Sequence, residues 1–279
     1  MKEFFEILKV FFLGIVEGIT EWLPISSTGH MILVDEFLKL NVSDDFKEMF
    51  FVVIQLGAIL AVPILFWKKL IPFSNEKTED EKKKIWSLWL KVIIGVIPAG
   101  ILGVLLDDFF DEHFYNFVVV AIALVVYGVA FILVEKLKKG KEYRIDSVYD
   151  ITYKDALIIG AYQTLSLIPG TSRSGSTILG GMLTGVSRTA ASEFSFFMAI
   201  PIMAGASLLK VAKFILDGFA ASPFEIILLL IGIVVSFLVS LVSIDFLMKF
   251  VKNHDFKPFG VYRIVLGIIV LIYFLIKII

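Results

Sequence analysis

Glu17-Gly-Ile-Thr-Glu21-Trp-Leu-Pro24-Ile-Ser-Ser-Thr-Gly-His30 is the stretch from which the organisation of this sequence is best understood. Its two glutamates are four positions apart, so on a helix they lie one turn apart on the same face. The proline that follows them breaks or kinks that helix, because it lacks an amide hydrogen and clashes with the preceding turn. The stretch therefore predicts a helix, a sharp turn and a second helix.

The hydroxyl residues after the proline predict the start of the second helix. Ser26, Ser27 and Thr28 are all suitable N-caps, and His30 falls on the first turn of this helix. Acids on one arm, with hydroxyls at the positive end of a helix, suit metal-assisted phosphate chemistry. The alternative is a pair of acids on a solvated helix face, followed by a simple serine cap.

The composition places this stretch in a membrane protein. The chain has 279 residues, of which 58% are hydrophobic, and its mean hydropathy is +0.90. Soluble domains are about 45–50% apolar. In such surroundings ionisable residues are costly, which favours a functional role for the two glutamates.

The absence of cysteine excludes disulfides and a thiol nucleophile. We expect no removable signal peptide, and no basic–aromatic surface suggests nucleic acid as a partner.

Six apolar runs are about long enough to cross a bilayer as helices. They cover residues 49–67, 85–106, 114–134, 194–215, 224–247 and 258–277, with a short acidic loop expected at 107–112. Two further apolar segments, 1–40 and 154–186, are interrupted by proline and polar residues, and we expect each to form a re-entrant helical hairpin. The predicted fold class is an all-α integral membrane protein with six transmembrane helices and two re-entrant hairpins.

The distribution of lysine and arginine predicts the orientation of these elements. Most of the basic loop residues follow the first, third and fifth spans, which places those loops on the cytoplasmic side. Both termini then lie outside. The first hairpin opens to the exterior and the second opens from the cytoplasm.

This arrangement predicts an inverted-topology repeat within a single membrane domain, residues 1–279. The halves are about 1–140 and 150–279, and each has a broken segment followed by three spans. An offset of 145 aligns Pro24 with Pro169 and the serine pair 26–27 with residues 171–172; it also aligns Glu48 with Glu193. Inverted repeats with broken helices place a polar site near the bilayer midplane, where the two breaks meet.

Pro169-Gly-Thr-Ser-Arg173-Ser-Gly-Ser-Thr177 is the second break and, in this interpretation, the other half of the site. Proline and glycine end one helix, and Thr171 or Ser172 caps the next. Arginine binds phosphate bidentately and keeps its charge when it is desolvated. The alternative is a polar loop with a surface arginine.

Three further ionisable residues near or within the spans remain ambiguous. Glu48 and Glu193 could each bind a cation or cap their own span. Arg263 lies within the last span, where it could pair with an acid, bind a lipid headgroup or extend to the cytoplasmic face.

The two motifs together resemble the undecaprenyl-diphosphate phosphatases, also called bacitracin-resistance proteins, over essentially the whole chain. The resemblance implies a hydrolase of the bacterial inner membrane that converts undecaprenyl diphosphate into the monophosphate. Such an enzyme recycles the lipid carrier for peptidoglycan synthesis, and bacitracin resistance follows because that antibiotic sequesters the substrate. The resemblance also implies a divalent cation, Mg²⁺ or Ca²⁺, and an active site open to the outer side. Membrane lipid is an expected partner, and a homodimer is left open.

Carried over residue by residue, the family motifs identify the candidate site. The acids that would hold the cation are Glu17 and Glu21, and Arg173 would bind the terminal phosphoryl group. The candidate substrate-binding residues are Ser26, Thr28, Ser172, Ser174 and Thr177. Ser27 is the preferred nucleophile, with His30 as its base or as the proton donor to the leaving phosphate. Attack by His30 or by water stays open.

The alternative function is that of an inverted-repeat transporter or flippase for a phosphorylated lipid. Paired broken helices are typical of secondary transporters. A transporter needs no nucleophile and no metal-dependent turnover, so release of phosphate would distinguish the two functions.

Overall fold

The computed structural model describes residues 1–114 and 116–278. Apart from one isolated bridge between Ile145 and Val186, the regular secondary structure of these residues is helical, and turns and loops connect the helices. Two short 3₁₀ helices span Val148–Asp150 and Thr164–Leu167. The α-helices are α1 Lys2–Thr20, α2 Ser27–Leu38, α3 Asp44–Leu65, α4 Trp67–Leu70, α5 Glu79–Phe114, α6 Phe117–Lys138, α7 Tyr153–Gln163, α8 Arg173–Leu183, α9 Arg188–Leu216, α10 Pro223–Asn253 and α11 Lys257–Ile278.

Six of the described helices are long and apolar enough to cross a membrane: α3, α5, α6, α9, α10 and α11. The sequence prediction of six spans in an all-α, multi-pass membrane protein is thus confirmed. The predicted acidic loop at 107–112 is wrong, because α5 continues to Phe114. After Gly103 this helix contains no further glycine or proline, so no residue type that readily ends a helix is present.

The two interrupted segments form the expected helix–turn–helix pairs, α1 with α2 and α7 with α8. Each second helix is capped by a serine with a left-handed backbone: Ser26 has φ 75° and Ser172 has φ 76°. Their Oγ atoms accept the amides of Gly29 (3.3 Å) and Gly175 (3.1 Å). Non-glycine residues rarely adopt this conformation, and such strain is concentrated at functional sites.

The predicted residue correspondence between the two turns is wrong by one position. The two capping serines are 146 positions apart (172 − 26), whereas the prolines are 145 apart. The second break is one residue longer between its proline and its cap. Ser27 therefore corresponds to Arg173, since each is the first residue of its helix.

Glycines allow several helix pairs to approach at backbone distance. A Cβ at Gly128 of α6 would lie 2.6 Å from the oxygen of Gly260 in α11, and the reciprocal distance is 2.7 Å. Helix α1 packs on α10, and α7 packs on α5. These two pairings correspond to each other if the two halves of the chain are exchanged. The repeat, its inverted topology and re-entry into the membrane stay predictions.

Candidate active site

A buried ion pair joins the two broken segments. The Arg173 Nη2 atom donates to Glu21 Oε1 over 2.8 Å, although the residues are 152 positions apart. Only 12% of the arginine side chain and 7% of the glutamate side chain are exposed. The sequence prediction that the two motifs meet at one place is therefore correct in geometry.

The Arg173 guanidinium is held in place from a third element, α9. Its Nη1 atom donates to the Ser195 backbone oxygen (2.8 Å) and approaches Ser195 Oγ (3.3 Å). Thr177 Oγ1 donates to the same Ser195 Oγ at 2.7 Å. The guanidinium carbon also lies 5.6 Å from the ring centre of Trp22, a cation–π distance. Sequence reasoning missed Ser195, whose only signal is a hydroxyl within an apolar helix.

Ser27 donates its hydroxyl proton to the other oxygen of the same glutamate. The distance from Ser27 Oγ to Glu21 Oε2 is 2.6 Å, and both residues are buried. The Glu21 carboxylate thus accepts from a hydroxyl on one side and from Arg173 on the other. A hydroxyl within hydrogen-bond reach of a carboxylate is the geometry of a nucleophile with its base.

His30 does not have the contact that the sequence predicted. Its Nδ1 lies 2.7 Å from the Ser26 backbone oxygen, and its Nε2 lies 2.7 Å from the Tyr262 hydroxyl. In the neutral imidazole, Nδ1 therefore carries the proton and Nε2 accepts from the tyrosine. Because both ring nitrogens are already bonded, the predicted pairing of His30 with Ser27 is wrong in this structure, and Glu21 takes that place.

Most of the candidate substrate-binding hydroxyls bond to the protein itself. Ser26 and Ser172 cap their helices, as described above. Ser174 Oγ donates to the Glu21 backbone oxygen at 3.1 Å, which adds a second tie between the two turns. Thr28 is half-buried on the first turn of α2. The hydroxyls of Ser26, Ser172 and Ser174 therefore shape the turns. Thr28 and the backbone amides at the starts of the helices remain candidates for direct contact with the substrate.

Glu17 is the one site carboxylate with an unsatisfied oxygen. It is 1% exposed, and its Oε1 has no hydrogen-bond partner in the described part of the chain. A buried carboxylate in this state needs a cation or a proton. No group of three His, Asp or Glu side chains that could hold a metal occurs among the described residues. A cation here would use Glu17 and Glu21 and complete its coordination with other oxygens.

Glu48 and Glu193 lie in ion pairs that connect α3 and α4 with α9. Glu193 binds Lys69 Nζ at 2.7 Å, and Glu48 binds Lys210. Each pair joins a residue of the first half to one of the second half. Neither glutamate caps its own helix, because Ser43 and Ser187 do so.

Comparison with known proteins identifies the family. The family model described as bacitracin resistance protein BacA matches residues 10–269. An undecaprenyl-diphosphatase of Acetivibrio thermocellus is 58% identical over 270 residues, which cover 97% of this chain and 98% of that protein. One from Enterococcus faecalis is 58% identical over 272 residues, 97% of this chain and 98% of the relative. This chain belongs to the bacitracin resistance protein BacA family.

Proposed function

We propose that this protein is an undecaprenyl-diphosphate phosphatase, which releases inorganic phosphate and leaves undecaprenyl phosphate. The observation that supports this best is the buried chain of contacts Ser27–Glu21–Arg173, with distances of 2.6 and 2.8 Å. It combines a hydroxyl, a base and a phosphate-binding guanidinium. The names of the relatives agree with this activity. The monophosphate returns to peptidoglycan synthesis, and consumption of the diphosphate underlies bacitracin resistance.

In the proposed reaction, Arg173 exchanges its contact with Glu21 for the terminal phosphate of the substrate. Ser27 Oγ attacks the terminal phosphorus, and its proton passes to Glu21. The phosphoanhydride bond breaks, and its electron pair remains on the departing lipid phosphate. After that proton has passed to solvent, Glu21 activates a water that hydrolyses the phosphoserine. Arg173 and the amides at the starts of α2 and α8 stabilise the charge on the transferred group.

We further propose that a divalent cation, Mg²⁺ or Ca²⁺, binds with the substrate. The unsatisfied Glu17 oxygen fits this group, and so does the proximity of Glu21 on the next turn. Magnesium is commonly held by one or two carboxylates together with substrate phosphates. When bound, the cation would neutralise part of the charge on the diphosphate.

Purified variants test this function directly. We expect Ser27→Ala to reduce phosphate release from undecaprenyl diphosphate at least 1000-fold and to abolish a trapped phosphoserine. Ser207→Ala is the matched control, because Ser207 is also buried but bonds to the Val52 carbonyl, outside the site. A chelator should also abolish turnover of the wild-type protein. Near wild-type release by Ser27→Ala would refute the serine nucleophile.

The transporter alternative predicts movement of lipid without release of phosphate. Reconstituted vesicles separate the two functions, because transport needs a gradient and an intact bilayer, whereas hydrolysis proceeds in detergent. The buried hydroxyl–carboxylate contact favours hydrolysis, since a transport site has no need of an activated nucleophile.

We also propose that the protein lies in the bacterial cell membrane, that its halves form inverted repeats, and that the site opens to the outer side. The lysine-rich loops support this orientation. The chain has no cysteine, so single cysteines can be labelled selectively. In intact cells a membrane-impermeant maleimide should label Ala220→Cys and should not label Lys139→Cys; the opposite pattern would invert the topology.

A further inference from the structure

Arg263 of α11 is a fully buried residue that touches both helix breaks. Its Nη1 donates to the Pro24 carbonyl at 3.0 Å, and its Nη2 donates to the carbonyls of Gly170 and Thr171 at 2.8 and 2.9 Å. A single guanidinium therefore bridges the turn before Ser27 and the turn before Arg173. The sequence left open an acid partner, a lipid headgroup or extension to the membrane surface. Among the described residues Arg263 pairs with no acid, and its complete burial keeps it away from headgroups and from the membrane surface.

The charge of Arg263 faces carbonyl dipoles and one aromatic ring. Among the described side chains no carboxylate lies within ion-pair distance of it, and its guanidinium carbon lies over the ring of Tyr127, 5.5 Å from the ring centre. By contrast, the partly buried Arg188 pairs with the carboxylate of Glu135. An unpaired cation at membrane depth is costly, and such residues are functional candidates by default.

The three acceptor carbonyls lie one or two residues before the strained capping serines. Backbone oxygens at these turns would repel a phosphate group, and Arg263 binds them. Gly170 itself has φ 90°, and a Cβ there would lie 2.5 Å from the Val120 oxygen, so its backbone path is tightly constrained. Arg263 is thus placed to fix the distance between the two turns.

We propose that Arg263 is a positioning residue that ties the turn carrying Ser27 to the turn carrying Arg173. This inference rests on the proposed function of these two residues. Arg263 bonds to the backbone behind them, so its part is alignment, with no contact to the reacting atoms. A displacement of about 1 Å between reacting groups can lower a rate about 100-fold.

The test uses Arg263→Met and Arg263→Lys in the full-length protein. We expect Arg263→Met to lower kcat for undecaprenyl diphosphate at least 100-fold and to weaken pyrophosphate binding, measured by calorimetry, about tenfold. Arg263→Lys retains the charge but cannot reach three carbonyls at once, so we expect partial rescue, with kcat about tenfold below wild type.

The matched control removes a partly buried arginine. The double variant with Arg188→Met and Glu135→Gln also loses a guanidinium and its hydrogen-bond partner, but this pair lies outside the site. Assayed below its unfolding temperature, it should keep kcat within threefold of wild type. Equal losses in this control and in Arg263→Met would reduce Arg263 to a structural residue and overturn the proposal.

If Arg263→Met does not fold, kcat is measured for Arg263→Lys and Tyr127→Leu instead. Values within threefold of wild type in both variants would refute the inference. If the wild-type protein binds pyrophosphate without hydrolysing the lipid, the proposed function fails. Arg263 is then judged by pyrophosphate affinity alone, and unchanged affinity in its variants would refute its role.

Discussion

Replacing Glu21 by glutamine tests the assignment of the base most directly. The substitution keeps the size of the side chain and removes its charge. If the amide oxygen stays with Arg173, the NH₂ group faces Ser27 and cannot accept its proton. If the amide is flipped, the NH₂ group faces the guanidinium, and donor meets donor. The first orientation removes the acceptor for the Ser27 proton, and the second removes the acceptor for Arg173.

The expected fall in kcat follows from the contribution of the general base that the substitution removes. A positioned general base contributes about 100- to 10,000-fold to a rate. At about 1.36 kcal/mol for each factor of ten, this equals about 2.7–5.4 kcal/mol of transition-state stabilisation. In either orientation Arg173 loses its anionic partner, and the weakening of this bond by at most about 1.5–3 kcal/mol should appear mainly as a lower unfolding temperature.

The assay is phosphate release from undecaprenyl diphosphate in detergent at saturating substrate, with thermal unfolding measured in parallel. Glu193→Gln is the matched control, because Glu193 is also a buried glutamate in an ion pair with a basic side chain. Its partner Lys69 is 41% exposed, so the loss of stability should be small, and kcat should stay within threefold of wild type. If E21Q retains more than a tenth of wild-type kcat, Glu21 is not the base.

Three further substitutions address the surroundings of the site and the packing of the helices. Ser195→Ala removes the hydroxyl behind Arg173, and the loss of about 1 kcal/mol of hydrogen bonding should raise KM about fivefold, measured by phosphate release. Tyr262→Phe frees His30 Nε2, and we expect kcat to fall about fivefold with KM unchanged; unchanged kcat would deny this hydrogen bond a part in catalysis. Gly57→Ala puts a Cβ 2.1 Å from a backbone oxygen of α10 and should destabilise the fold by about 3 kcal/mol in thermal unfolding, whereas Gly205→Ala, with nothing within 4 Å, should not.

The spans could be predicted because hydropathy is a property of each segment alone. The end of α5 was predicted too early. The acidic residues after Leu106 indicated a loop, but between Gly103 and the end of α5 there is no glycine or proline to end the helix. The one-residue difference between the breaks was also missed. Two prolines set the sequence alignment, whereas backbone conformation at Ser26 and Ser172 sets the structural one.

Within the site, the motifs predicted which residues converge but not how they pair. Glu21 and Arg173 could be predicted to meet, because each stands out in an apolar segment. The pairing of Ser27 with Glu21 across the turn depends on the path of the chain around Pro24, which local sequence does not determine. Tyr262 was missed because a tyrosine in a membrane helix is usually an interfacial residue.

The charges of the site explain why cation and substrate should bind together. Glu17, Glu21, Arg173 and Arg263 are all buried or nearly so, and when both glutamates are ionised their two negative and two positive charges cancel. A diphosphate alone would add negative charge to this neutral site, and a divalent cation alone would add positive charge; either is costly at low dielectric. Bound together they compensate one another. We therefore expect pyrophosphate to tighten Mg²⁺ binding at least tenfold in calorimetry, and Glu17→Gln to remove most of this coupling. If Mg²⁺ binds the free protein as tightly as it binds the pyrophosphate complex, the site is not neutral and another group must balance its charge.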